Sequence, residues 1–217
     1  MEKFHNELKS LKRDILEMGD FALGMLIESM DAFKNLDMQF AEEVHSKKDK
    51  IMELETILEQ RTLELMLKYQ PMAKDLRTLA CIFTALVHIT RIGRYSKDIA
   101  NILLKELKDK QQHMKKLITL SSMIENVESM IRDVLTAFDT KDLRILEGFS
   151  ERDDIVDEQR MEIFRECLTY MMEDSKNIPF CIAYIMVARY LERCGDHACR
   201  IAEKIHYMVE GRIIEVR

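Results

Sequence analysis

Glu192 and Asp196 stand four residues apart in the run Leu191-Glu192-Arg193-Cys194-Gly195-Asp196-His197-Ala198, and Asp153 and Asp157 share that spacing upstream. Residues four apart on a helix project from one face, so each pair makes an acidic patch. Asp154 adjoins the second patch, and Glu203 continues the first three turns along. If the two helices run antiparallel, Asp153, Asp157, Glu192 and Asp196 meet, and four facing carboxylates repel unless something neutralises them. Hard oxygen donors suit magnesium, calcium, manganese or ferric iron, and zinc also accepts carboxylate ligands. The bland alternative is a solvated face on which Arg189, Arg193 and Arg200 pair with the acids. His197 points about 100° away from Asp196; it and Glu203 are expected beside the donors, supporting them rather than ligating. Cys199 reads as a buried thiol.

The segment has an echo 102 residues upstream, Ile89-Thr90-Arg91-Ile92-Gly93-Arg94-Tyr95-Ser96, with R-x-G-x-x-x-x-x-I-A common to both. Asp37 and Asp142, and Asp49 and Asp153, recur at nearly the same separation, which indicates a duplicated unit. Aligned this way, Asp49 and Glu53 take the places of Asp153 and Asp157, while Thr90 and Arg94 replace Glu192 and Asp196. The expectation is one cation-binding half and one degenerate half, in which the Arg94 guanidinium neutralises Asp49 or Glu53.

The elements that carry these residues are helical. The chain has 217 residues with only 6 Gly and 2 Pro, against roughly 12% for the two together in average proteins. Apolar side chains recur at helical spacing from Phe4, Leu8, Leu11 and Ile15 onward. Asn35-Leu36-Asp37 ends the first helix, with Asp37 as N-cap of a second running from about Met38 to Lys68. Gln70-Pro71 stops that one, and Pro71 opens a third reaching towards Leu107. The second half predicts helices over Gln112–Phe138, Lys141–Met172, and from Pro179 to just before Gly211. The fold class is therefore all-α: two tandem antiparallel three-helix bundles, residues 1–109 and 110–217, related by a pseudo-two-fold axis. Gly93 and Gly195 cost about 1 kcal/mol each inside helices and are expected where helices pack closely.

Composition narrows the function. A net charge of -6 and a pI near 5.6 argue against nucleic acid as a partner. The longest uncharged stretches, Thr78–Thr90 and Asn177–Ala188, fall short of the ~20 residues that span a bilayer. Five cysteines, with no C-x-x-C pair, read as reduced thiols of a reducing compartment. The expectation is a soluble cytoplasmic protein, touching a membrane only through a partner. An enzyme of the di-iron class would need Glu-x-x-His pairs; Glu2/His5, Glu42/His45 and Glu203/His206 have the spacing but sit at unrelated places in the repeat.

Leu191–Ala198 followed by Arg200-Ile201-Ala202-Glu203 closely resembles the L-E-R-I-G-D-H-A-x-x-I-A-E signature of PhoU proteins. Gln70-Pro71-Met72-Ala73-Lys74-Asp75-Leu76-Arg77 matches their Q-P-x-A-x-D-L-R segment, and Phe4 through Gly19 is similar to their first helix. The resemblance covers essentially the whole chain. It implies a non-enzymatic regulator of phosphate uptake and phosphate-starvation signalling. Such a regulator would act on the cytoplasmic side of a phosphate ABC transporter and its sensor histidine kinase, and often as a homodimer. It also implies a carboxylate metal site, carried over onto Asp153, Asp157, Glu192 and Asp196, for iron, manganese, magnesium or zinc. The alternative is a metal-free helical adaptor that binds a different partner.

Overall fold

A computed structural model describes residues 2–110, 112–115 and 118–216. The first half comprises α1 (Glu2–Asn35), α2 (Met38–Ser46), α3 (Lys48–Tyr69) and α4 (Ala73–Glu106). The second comprises α5 (Ile118–Thr140), a 3-10 turn (Leu143–Leu146), α6 (Phe149–Glu173), a second 3-10 turn (Ser175–Asn177) and α7 (Ile178–Glu210). No strand occurs among the described residues. In each half the first and second helices pack on the long third one, and α4 and α7 then pack on each other as the central pair, with α1 also touching α5. The two three-helix bundles stand side by side. Length and composition would let α4 cross a membrane, but it is the packed centre of its bundle: Leu79, Ile82, Ile89 and Ile99 are all buried.

The cap expected at Asp37 is present, and Asp142 caps its own turn in the second half. Asp37 accepts a hydrogen bond from the Phe40 N–H at 2.9 Å and starts α2. Asp142 does the same for Arg144 at 3.1 Å. Gln70 ends α3 in a left-handed conformation, and Pro179 sits in the first turn of α7, where its missing N–H is not needed. The expected second helix of each half is broken, however. Lys47 closes α2 with a short bond to the Val44 carbonyl and its ammonium pairs with Glu28 of α1, so the chain turns before α3. In the second half Gly148, at φ 73°, separates the 3-10 turn from α6; a side chain would be strained there. The helix expected from Gln112 begins only at Ile118, and 112–115 is irregular; residues 111, 116 and 117 lie outside the described residues. Pro71 precedes α4 rather than opening it, because Met72 caps and Ala73 is the first helical residue.

Three glycines differ in what their missing side chain allows. A Cβ on Gly19 would lie 2.4 Å from Leu135 Cδ2, at the contact of α1 with α5. One on Gly93 would lie 3.0 Å from Ile51, whereas one on Gly195 would meet nothing nearer than 3.6 Å. The close packing expected at both helical repeats holds at Gly93 and is looser at Gly195. Overpacking costs about 1–3 kcal/mol and alanine returns about 1 kcal/mol of helix propensity. Gly19→Ala is therefore expected to lower stability by about 1 kcal/mol net, and Gly195→Ala to raise it by up to about 1 kcal/mol. Urea unfolding of the two variants checks this; equal midpoints would contradict it.

Candidate functional site

Antiparallel packing of α6 on α7 brings the four sequence-predicted carboxylates to one face. Asp153 is buried, with only 3% of its surface exposed, and its Oδ1 lies against the bare Cα of Gly195. Asp157 and Asp196 are half-buried, and Asp157 with Arg160 also lines an open cleft of about 610 Å³. Burial raises the Glu192 pKa above the usual carboxylate value; the Arg160 guanidinium opposes this, and the neighbouring charges of Asp196 and Asp157 add to it. Two arginines supply the countercharge. Arg160 Nε lies 3.5 Å from Glu192 Oε1, and Arg193 reaches Asp196 Oδ2 at 3.3 Å and Glu192 Oε2 at 4.0 Å. Among the described residues no three His, Cys, Asp or Glu side chains converge as a cation cage. Carboxylate donors are of the type that suits a hard cation, but Asp153 is closed off from solvent, and Arg160 and Arg193 already face Glu192 and Asp196.

The first half is built differently. Gly93 faces Ile51, which is wholly buried, just as Gly195 faces Asp153. Ile51, not Asp49, is thus the counterpart of Asp153. The expected alignment was out by two residues, which is about 200° around a helix and moves a side chain from the core to solvent. Asp49, Glu53 and Arg94 are all exposed accordingly, and no ion pair joins Arg94 to either acid among the described residues. Thr90 is buried. An apolar contact, rather than an arginine, takes the place of the acidic face in this half.

A second cluster sits where α4 crosses α7. His88 Nδ1 and His197 Nδ1 are 2.9 Å apart. The Tyr95 ring stacks on His197 at 5.7 Å and 16°, and on Tyr190 at 5.5 Å and 25°. Together with Arg193, Asp196, Cys199 and Arg200, three of these rings line a cleft of about 260 Å³. His197 and Asp196 line the same cleft, and the His197 Nδ1 faces His88 rather than the carboxylate. Glu203 binds Arg200 at 2.8 Å and accepts the Val216 N–H at 3.3 Å, so it anchors the chain's last described residues. The other Glu-x-x-His pairs do not meet: His5 pairs with Asp75 at 3.5 Å, and Glu42 and His45 are exposed on α2.

The PhoU domain matches this chain twice, over residues 15–103 and 120–205. The chain belongs to the PhoU family. It is 32% identical over 210 residues to the phosphate-specific transport system accessory protein PhoU of Edwardsiella tarda, covering 97% of this chain and 86% of that protein. The protein of the same name from Escherichia coli K12 is 31% identical with the same coverage. In structure the chain superposes on PhoU from Pseudomonas aeruginosa with a TM-score of 0.91, at 28% identity over 96% of this chain and 100% of that one. The phosphate transport system regulatory protein PhoU of Streptococcus pneumoniae shares the fold, with a TM-score of 0.88 at 24% identity over 98% and 99% of the two chains.

Within this PhoU fold, three participants escaped the reading of motifs. Arg160 is one turn beyond Asp157 on α6 and so shares its face, a spacing that could have flagged it. His88 and Tyr95 sit 102 residues before Tyr190 and His197, so each histidine occupies the place of a tyrosine in the other PhoU repeat. That exchange was visible in the duplicated sequence. Its meaning depended on α4 meeting α7 about the pseudo-two-fold axis.

Proposed function

We propose that this chain regulates phosphate uptake and phosphate-starvation signalling by docking, as a homodimer, on the cytoplasmic side of a phosphate ABC transporter and its sensor histidine kinase. The observation that carries the reading is the match, over 97% of the chain, to relatives named as accessory proteins of the phosphate-specific transport system. The all-helical surface suits a docking protein. Co-purification from native cells grown in excess phosphate tests the reading: transporter or kinase subunits are expected with the tagged chain. Their absence, with other proteins recovered instead, would overturn it.

The acidic face belongs to the same proposal. Asp153, Asp157, Glu192 and Asp196 would hold a divalent or trivalent ion of iron, manganese, magnesium or zinc. Such an ion, when bound, supplies the charge that Arg160 and Arg193 otherwise provide. Arg160 faces Glu192, Arg193 faces both Glu192 and Asp196, and Gly195 sets no side chain over Asp153. The arginine pairing also favours a second reading, a metal-free adaptor in which this face is a closed ion-pair network. Metal analysis of the protein purified after supply of iron and manganese separates the two. Retained metal that is lost in Glu192→Gln/Asp196→Asn supports the site; a metal-free wild type supports the adaptor.

A further inference from the structure

The end of the second bundle remote from the acidic face gathers three sulfur atoms from three different elements. Cys167 of α6 and Cys181 of α7 are both fully buried and close enough for each thiol to act on the other's titration. Met114, from the irregular segment between α4 and α5, places its Sδ 4.0 Å from Cys181 Sγ. Harder donors nearby are committed. His113 uses Nδ1 towards the Tyr184 hydroxyl at 3.0 Å and Nε2 towards the Phe33 carbonyl at 2.9 Å. The Glu166 carboxylate pairs with the Lys115 ammonium, which also lies 5.2 Å above the Tyr170 ring.

We propose that Cys167, Cys181 and Met114 form a binding site for one Cu(I) ion. Thiolate and thioether donors select Cu(I) over hard cations. With metal–sulfur bonds of about 2.3 Å, as in thiolate complexes, a trigonal arrangement needs sulfur–sulfur separations of about 4 Å, the spacing already present between Cys181 and Met114. Zinc would require a fourth donor, and the neighbouring histidine and carboxylate are both engaged. Binding converts two thiols and Cu(I) into a bis-thiolate–thioether complex and releases two protons, with no change of oxidation state. The complex carries one negative charge, set beside the Lys115–Glu166 ion pair. Without the metal, burial pushes the Cys167 thiol up to about 12 and raises Cys181 as well, so both are neutral thiols at rest. The ion enters past residues 112–115, which no helical hydrogen bonds hold.

Anaerobic titration of the reduced full chain with Cu(I), in competition with a coloured Cu(I) chelator, tests the site. One Cu(I) per chain is expected to be withheld from the chelator, with a thiolate-to-copper absorption in the near ultraviolet. Loss of an outer partner weakens metal sites by roughly 10–100-fold, so Cys167→Ser or Cys181→Ser is expected to weaken binding by at least about 100-fold. Met114→Leu, a partly exposed and nearly isosteric change, tests the same site where a cysteine variant fails to fold, with an expected weakening of about tenfold. Cys81→Ser and Cys199→Ser are expected to bind as the wild type does. Surrender of all the Cu(I) to the chelator by the wild type would overturn the proposal, as would full retention by the Cys181 and Met114 variants.

Discussion

Phe33→Ala is expected to destabilise the chain by about 3–5 kcal/mol, the range for deleting a fully buried aromatic ring. Phe33 lies in the last turn of α1 with no exposed surface, and its ring lies 5.5 Å from the His113 ring and 6.1 Å, edge on, from Tyr184. Its carbonyl can only accept, so His113 Nε2 donates to it at 2.9 Å. Nδ1 of the neutral ring then accepts from the Tyr184 hydroxyl at 3.0 Å. One residue thus ties α1 of the first bundle, the segment between the bundles and α7 of the second. The alanine leaves a cavity on which both halves border, and a typical total stability of about 5–15 kcal/mol makes the loss severe. Urea unfolding of the wild type and variant measures it. Leu67→Ala and Met72→Ala, at positions 77% and 81% exposed, serve as controls and are expected within about 0.5 kcal/mol of wild type. A Phe33→Ala midpoint no lower than theirs would show that the junction does not carry stability.

The helices themselves were legible because each buries one stripe at helical spacing. Phe4, Leu8, Leu11, Ile15 and Met18 all fall in the core, as their spacing required. Helix ends were legible wherever a side chain sets them, as with Asp37 and Pro179. They were not legible where tertiary packing sets them: Lys47 looks like any lysine in a helix until Glu28 of α1 comes within reach. Gly148 carried a signal that apolar periodicity overrode.

The acidic face shows the same division. Helical spacing was enough to put Asp153 beside Asp157 and Glu192 beside Asp196, each pair on one face of its helix. The register of the first half was not, since a repeat whose landmarks recur at 102, 104 and 105 residues leaves a two-residue choice. That choice turns a side chain from core to solvent, and only the Gly93–Ile51 contact resolves it. Arg160 was hidden for a related reason. The one-turn spacing puts Arg160 on the face of Asp157, but its role comes from facing Glu192 on another helix, which that spacing does not state.

Acidification from about pH 7 to pH 5 is expected to weaken the packing of α4 on α7 through the histidine pair. With Nδ1 atoms 2.9 Å apart, one ring must donate and the other accept. A second proton would set two N–H groups against each other. Burial depresses both rings, His88 further through Arg200 and His197 through His88, Arg91 and Arg193, and His197 falls to about 4. The charged groups around the pair are Arg91 on α4 and Arg193, Asp196, Arg200, Glu203 and Lys204 on α7; Arg91, Arg200 and Lys204 disfavour protonation of His88 and Glu203 favours it, while Arg91 and Arg193 disfavour protonation of His197. A folded pKa below the unfolded value of about 6.5 means the unfolded chain binds the proton first. The stabilisation is therefore complete above about pH 6.5, declines as the pH falls, and is fully lost near the folded pKa of about 4. At about 1.4 kcal/mol per unit, His197 contributes a loss of roughly 2 kcal/mol by pH 5, less whatever solvent in the cleft screens. Exposed carboxylates titrate mostly below that window. Urea midpoints at the two pH values, for wild type and His197→Gln, measure the effect. The variant is expected to lose most of the slope, and an unchanged slope would place the acid sensitivity outside this pair.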